Sequence, residues 1–172
     1  MRGKSGRGEL GRRELICGLA GTLLLPAVAR ADAADRILVM KAARTLQLLN
    51  GERVLASYPI ALGSHPIGPK RELGDGRTPE GAYLIDGRNP SSLYHLALHI
   101  SYPDAGDLAR ARRTGVDPGG DICIHGLPEG YEDVDPKEFS VDWTRGCIAV
   151  SDRAMEEIWS RVELGTPIEI RA

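Results

Sequence analysis

Three absences narrow what this chain of 172 residues can be. Cysteine is scarce, three in all, and no C-x2-C pair occurs, which argues against the paired-thiolate zinc motifs and against a dense disulfide scaffold. Basic residues are not in excess, 22 against 24 acidic for a net charge of −2, so the footprint needed to neutralise nucleic-acid phosphates is missing. Long apolar runs are missing too. The longest spans residues 16–29 and is broken by Pro26, short of the roughly 20 residues that cross a bilayer as a helix. With no internal repeat and no low-complexity linker, one domain is expected.

The apolar run has a meaning of its own. Arg2, Lys4, Arg7, Arg12 and Arg13 precede it, and Ala27-Val28-Ala29 and Ala29-Arg30-Ala31 follow with small residues at the spacing a signal peptidase needs. Residues 1–31 therefore read as a cleavable export signal, of the twin-arginine type or of the general secretion type, and a periplasmic location is expected with no stable membrane insertion after cleavage. Removing this segment takes six basic and two acidic residues from the totals of 22 and 24, leaving 16 against 22, an acidic domain over 32–172.

That domain reads as mainly β, with strands around one core and one or two short flanking helices. Residues 36–41, 44–49 and 52–61 are short β-favouring runs, and Asn50-Gly51 between the last two is a hairpin signal. Residues 63–81, rich in glycine, proline and charge, have no apolar period and form a long surface loop. Within it Gly74-Asp75-Gly76-Arg77-Thr78-Pro79-Glu80-Gly81 reads equally well as a glycine turn between strands or as a rim over a site. Strands are expected over 82–88, over 91–102 by alternation, and over 121–125, where Cys123 and His125 share a face. Residues 107–113 can form a short helix. Ser151 caps a second, with Met155, Ile158, Trp159 and Val162 at helical spacing and Gly165 as its stop, and 166–170 closes the domain as a strand.

The chemistry centres on Thr144-Arg145-Gly146-Cys147 and His125. A thiol becomes a nucleophile when an imidazole takes or stabilises its proton, and a glycine turn of backbone N–H groups can hold the oxyanion that forms on attack at a carbonyl. Three other roles compete for Cys147 at this stage: a buried structural residue, a disulfide with Cys123, or a metal site of Cys123, His125 and Cys147 with His95 or His99. His95 and His99 have the two-histidine spacing of zinc proteases but lack the adjacent glutamate and alternate as a strand, so no metal is expected.

Gly74–Ile85, His95–Pro103, Asp117–Pro128 and Asp142–Trp159 together resemble the L,D-transpeptidase catalytic domain, the YkuD-like family, in its murein branch. The resemblance implies a β-sandwich-like fold with the site at one end. It implies Cys147 as the nucleophile that forms a thioester with a peptidoglycan stem peptide and His125 as proton acceptor and donor. The oxyanion donors it implies are the backbone of Gly146 and Cys147, with Arg145 as a further candidate; His99 and Thr144 are candidates for substrate contact. It implies no cofactor, and transfer of the stem to an amine. Hydrolysis by the same residues, acting as an L,D-carboxypeptidase or releasing a wall-attached protein, is the alternative, and a non-catalytic wall-binding module a further one. Many members carry histidine where this chain has Arg145 and arginine where it has Ala149.

Overall fold

The computed structural model describes residues 32–131 and 141–172. The export signal expected over residues 1–31 lies outside the described residues. The elements are β1 (Arg36–Met40), β2 (Thr45–Asn50), β3 (Arg53–Pro59), β4 (Gly81–Ser92), β5 (His95–Ile100), α1 (Ala105–Thr114), β6 (Cys123–His125), β7 (Ile148–Ala149), α2 (Asp152–Arg161) and β8 (Pro167–Arg171). The fold is mainly β with two helices, as expected.

The strands follow the order β3-β2-β1-β8-β4-β5-β6-β7. β1 and β2 are antiparallel, Ile37 opposite Leu48 and Val39 opposite Leu46, and these four apolar side chains are fully buried. The long strand β4 turns this order into two layers. Its first residues pair with β8, from Gly81 opposite Ile170 to Leu84 opposite Pro167, and from Ile85 onward it pairs with β5. The register slips between Ile85 and Gly87, and a bulge of this kind bends a strand. The two ends of the strand order then meet. Ala61, two residues after β3, exchanges both backbone hydrogen bonds with Ala149 of β7 at 2.9 Å. Between the layers lies an aliphatic core that includes Leu46, Leu48, Ile60, Leu62, Ile85, Leu98, Ile124, Ile148, Met155 and Ile158.

Three boundaries differ from the sequence reading, each for a local reason. β4 runs on to Ser92, although Asn89-Pro90 looks like a break, because Pro90 falls in a second register slip where the ladder needs no N–H from it. The strand expected over 91–102 therefore begins at His95. α1 begins two residues earlier than expected because Asp104 and Asp107 form a reciprocal capping box. α2 is capped by Ser151 as expected but ends at Arg161, and Gly165 instead supplies a left-handed residue (φ +85°) in the turn before β8.

The loop from Gly63 to Glu80 is held down by buried charge. Lys41, 2% exposed at the end of β1, donates to the carbonyls of Gly68 and Thr78 and to Glu80 Oε1 at 2.7, 3.0 and 2.8 Å. Lys70 is likewise buried, with Asp75 Oδ1 at 2.9 Å. Asp75 also accepts from the backbone N–H groups of Arg71, Glu72 and Arg77, which makes a compact turn of a segment with almost no apolar residues.

Candidate active site

β6 and β7 lie side by side and parallel, with Ile124 opposite Ile148 and His125 opposite Ala149. The two isoleucines point into the core, so the residues on either side of them face outward. This alternation places Cys123, His125 and Cys147 on one face, as the sequence period predicts for the first two. They line a cavity of about 780 Å³ together with Asn89, Tyr94, Asp121 and Arg145. Lys70, Leu73 and Gly74 border the same cavity, so the glycine-rich loop forms its rim.

His125 is 4% exposed and tightly held. Its Nδ1 lies 2.7 Å from the carbonyl of Gly126, and because a carbonyl only accepts, Nδ1 carries the proton. Nε2 is left as the ring's acceptor, and His125 is one of the groups that lower the Cys147 thiol. Asp152, the first residue of α2, accepts from the N–H of Leu127 at 2.7 Å and fixes the chain beyond the histidine. Two rings enclose the imidazole: Tyr94 at a centroid distance of 4.6 Å and Trp143 at 5.8 Å, themselves 6.1 Å apart.

Cys147 is held at the end of a tight turn. Thr144 Oγ1 donates to the Cys147 carbonyl at 2.7 Å and accepts from the Gly146 N–H at 3.1 Å. Gly146 has φ +134°, a region that side chains disfavour, and a Cβ there would stand 2.7 Å from the carbonyl oxygen of Arg77. The thiol is pulled well below the ordinary range. A hydrogen bond with Cys123 contributes most, burial opposes it, and the hydrogen bond and charge of His125 add to the lowering. Cys123 shifts the opposite way through the same contact, reinforced by burial. Cys147 is therefore the thiol that ionises, with Cys123 as its neutral neighbour.

The expected site residues divide accordingly. Cys147 and His125 are brought together. The Gly146 amide is not available as an oxyanion donor, because the Thr144 hydroxyl already receives it; the amides of Arg145 and Cys147 donate to no group among the described residues. Thr144 lines the cavity, but its hydroxyl is used inside the turn. His99 stands opposite Cys123 in the strand ladder, yet its Nδ1 is 2.5 Å from Asp86 and its ring is not among the cavity walls. His95 pairs with Glu156 at 3.3 Å, so neither histidine completes a metal site with the two cysteines. Among the described residues no cluster of three His, Cys, Asp or Glu side chains is placed to hold a metal. Both cysteines are free thiols. Tyr94 escaped the sequence reading, which took it as one more residue of an alternating strand.

A thiol held below its ordinary range, a histidine on the same face and a glycine turn make up a cysteine–histidine site. The chain belongs to the YkuD family, L,D-transpeptidase catalytic domain, whose profile matches residues 34–170. It is 32% identical over 133 residues to the "Putative L,D-transpeptidase YafK" of Escherichia coli (strain K12), covering 73% of this chain and 46% of that protein. The chain thus spans about half the length of the curated relative it matches. Among solved structures it is similar to the helical cell shape determining protein Pgp2 of Campylobacter jejuni, at 28% identity and a TM-score of 0.60 over 78% of this chain and 46% of that one. Bd1075 of Bdellovibrio bacteriovorus is similar at 29% identity and a TM-score of 0.56, over 84% and 50% of the two chains.

Proposed function

We propose that this protein is an exported cysteine L,D-transpeptidase of peptidoglycan, acting in the periplasm. The observation that carries the reading is that Cys147 and His125 line one cavity from adjacent strands, with the thiol held below its ordinary range beside two amides that donate to no group among the described residues. In the first half-reaction His125 Nε2 takes the proton of Cys147, and the sulfur attacks the carbonyl carbon of an L,D peptide bond in a stem peptide. The amides of Cys147 and Arg145 receive the charge on the carbonyl oxygen. As the tetrahedral carbon collapses, the C–N bond breaks, His125 gives its proton to the departing amine, and a thioester remains on Cys147. In the second half-reaction the amine of another stem gives its proton to His125 and attacks the thioester. A new amide forms and the Cys147 thiol is restored.

The cavity suits an acidic peptide. Arg145 is exposed at its wall and has no anionic partner among the described residues, so its cation is available to a stem carboxylate. The kinship with a protein named for determining cell shape agrees with a substrate in the wall.

The test is incubation of purified sacculi with the protein, followed by separation of the muropeptides. New cross-links between diaminopimelate residues, absent with Cys147→Ala, are expected. Shortened or released stems without new cross-links would reassign the same site to hydrolysis, and products that persist in Cys147→Ala would refute the role of the thiol altogether.

A further inference from the structure

The cavity holds a second sulfur that acyl transfer does not consume. Cys123 and Cys147 converge on one acceptor, the carbonyl of Asp121, at 3.9 and 3.5 Å, and both line the same cavity. Asp121 itself has φ +54°, an uncommon backbone for a residue with a side chain, and this turn aims its carbonyl at both sulfurs. The strand register explains the meeting. Ile124 pairs with Ile148 across parallel strands, so one step back along both chains puts Cys123 beside Cys147 on the same face. Neighbouring strands are about 4.8 Å apart, inside the range of about 4.4 to 6.8 Å between Cα atoms that a disulfide spans. Both cysteines are half-buried and both border the open cavity, so a small oxidant reaches them.

We propose that Cys147 and Cys123 form a dithiol–disulfide site, in which Cys123 resolves oxidation of the nucleophile and the protein is reversibly switched off. The inference rests on Cys147 being the reactive thiol of the proposed function. The oxidants are a low-molecular-weight disulfide or a peroxide. With a disulfide, the Cys147 thiolate attacks one sulfur, a mixed disulfide forms and a thiolate leaves. With hydrogen peroxide, the thiolate attacks one oxygen, Cys147 becomes a sulfenic acid and hydroxide leaves. In either case Cys123 then attacks the Cys147 sulfur, and its proton leaves with the second group as a free thiol or as water. Sulfur is the electron donor throughout: two thiols are oxidised to one disulfide, and the external disulfide or peroxide is reduced.

The ordering of the two thiols fits these roles. Cys147, the one that ionises, meets the oxidant first, while Cys123 stays protonated until a sulfenic acid or mixed disulfide appears next to it. Without a resolving neighbour, a sulfenic acid at an accessible thiolate proceeds to sulfinic acid, which ordinary thiols do not reverse.

The test uses the whole chain, reduced and then exposed to oxidised glutathione or hydrogen peroxide, alkylated, digested with trypsin and analysed by mass spectrometry. Linked peptides carrying Cys123 and Cys147 are expected, with alkylation of Cys147 reduced at least about tenfold and restored by dithiothreitol. In Cys123→Ser, peroxide is expected to leave Cys147 as sulfinic acid that dithiothreitol does not recover. Wild-type protein in which Cys147 is oxidised while Cys123 remains open to alkylation overturns the proposal, as does Cys123→Ser that recovers as completely as wild type. Acylation of the reduced wild type by a carbapenem, read by intact mass, separates the two readings. An adduct on Cys147 without linked peptides sinks only the disulfide, and linked peptides without an adduct sink the catalytic role on which it was built.

Discussion

Gly146→Ala bears most directly on how the nucleophile is held. Two costs add. The backbone at 146 has φ +134°, outside the wells open to alanine, which costs on the order of 1–3 kcal/mol. The new methyl would also stand 2.7 Å from Arg77 O and 3.1 Å from Ile122 Cδ1. The first of these is backbone, so relief requires the turn or the 77 segment to move, and overpacking of this kind costs about 1–3 kcal/mol. The sum, about 2–6 kcal/mol, is a large part of an ordinary stability of about 5–15 kcal/mol, and for a chain of this size it lowers the melting temperature by roughly 4–24 °C. Because the turn also carries the Cys147 and Arg145 amides, the rate of acylation by a carbapenem should fall about 10²-fold, the effect of losing one oxyanion donor. Gly51→Ala is the control: it too has positive φ (+58°) but meets nothing within 4 Å, so it should lose about 1 kcal/mol with acylation unchanged. Calorimetry and intact-mass kinetics on the two variants decide the matter. If Gly146→Ala behaves like Gly51→Ala in both, the close approach of the 77 and 146 backbones is not what shapes the site.

Alkylation of Cys147 by iodoacetamide should have its pH midpoint well below the ordinary thiol range; Cys123→Ala should raise that midpoint, whereas Cys123→Ser keeps a donor and raises it less, and a wild-type midpoint at an ordinary thiol value would refute the pairing. Burial alone would raise the pKa of Asp75, but hydrogen bonds from Arg71, Lys70, Arg77 and Glu72 lower it from 3.8 to about 2. Its folded value lies below its unfolded one, so it stabilises the fold above about pH 4 by on the order of 2 kcal/mol, lost between about pH 4 and 2; urea titrations across that window should show a shallower loss in Asp75→Asn. Lys41→Ala strands the carboxylate of Glu80 and the carbonyls of Gly68 and Thr78, and should destabilise the fold by about 3 kcal/mol, measured by chemical denaturation.

Alternation made much of this site legible. The period of two over 121–125 put Cys123 and His125 on one face, and the glycine before Cys147 marked a turn that a larger residue would not fit. What stayed hidden depends on long-range pairing. Nothing local to Tyr94 announces that a hairpin will bring its ring to 4.6 Å from that of His125, since the partner lies on a different strand and Trp143 on a distant turn. Hydrogen-bond allocation is equally invisible. Three amides in the 145–147 turn look alike in sequence, and only the rotamer of Thr144 removes Gly146 from the set.

The loop over 63–81 shows why the two readings of its glycines, turn or rim, were not true alternatives. A Cβ on Gly63 would lie 2.2 Å from the carbonyl oxygen of Gly76 and 3.1 Å from the Cα of Gly146. Two stretches of this loop and the turn at Gly146 therefore meet backbone to backbone, a close approach that glycine permits. Hydrogen bonds lock the junction: Thr144 N–H donates to Leu62 O at 3.1 Å, Ser64 N–H to Thr144 O at 2.9 Å, and Gly63 N–H to Thr78 Oγ1 at 3.1 Å. The turn that presents Cys147 is thus braced by the same loop that rims the cavity, and that loop is held through the buried Lys41 and Lys70 to carboxylate and carbonyl groups. Geometry at the sulfur consequently depends on charges on the far side of the loop. A substitution at Lys41 that leaves the protein folded should still slow acylation of Cys147, with no side chain in the cavity changed.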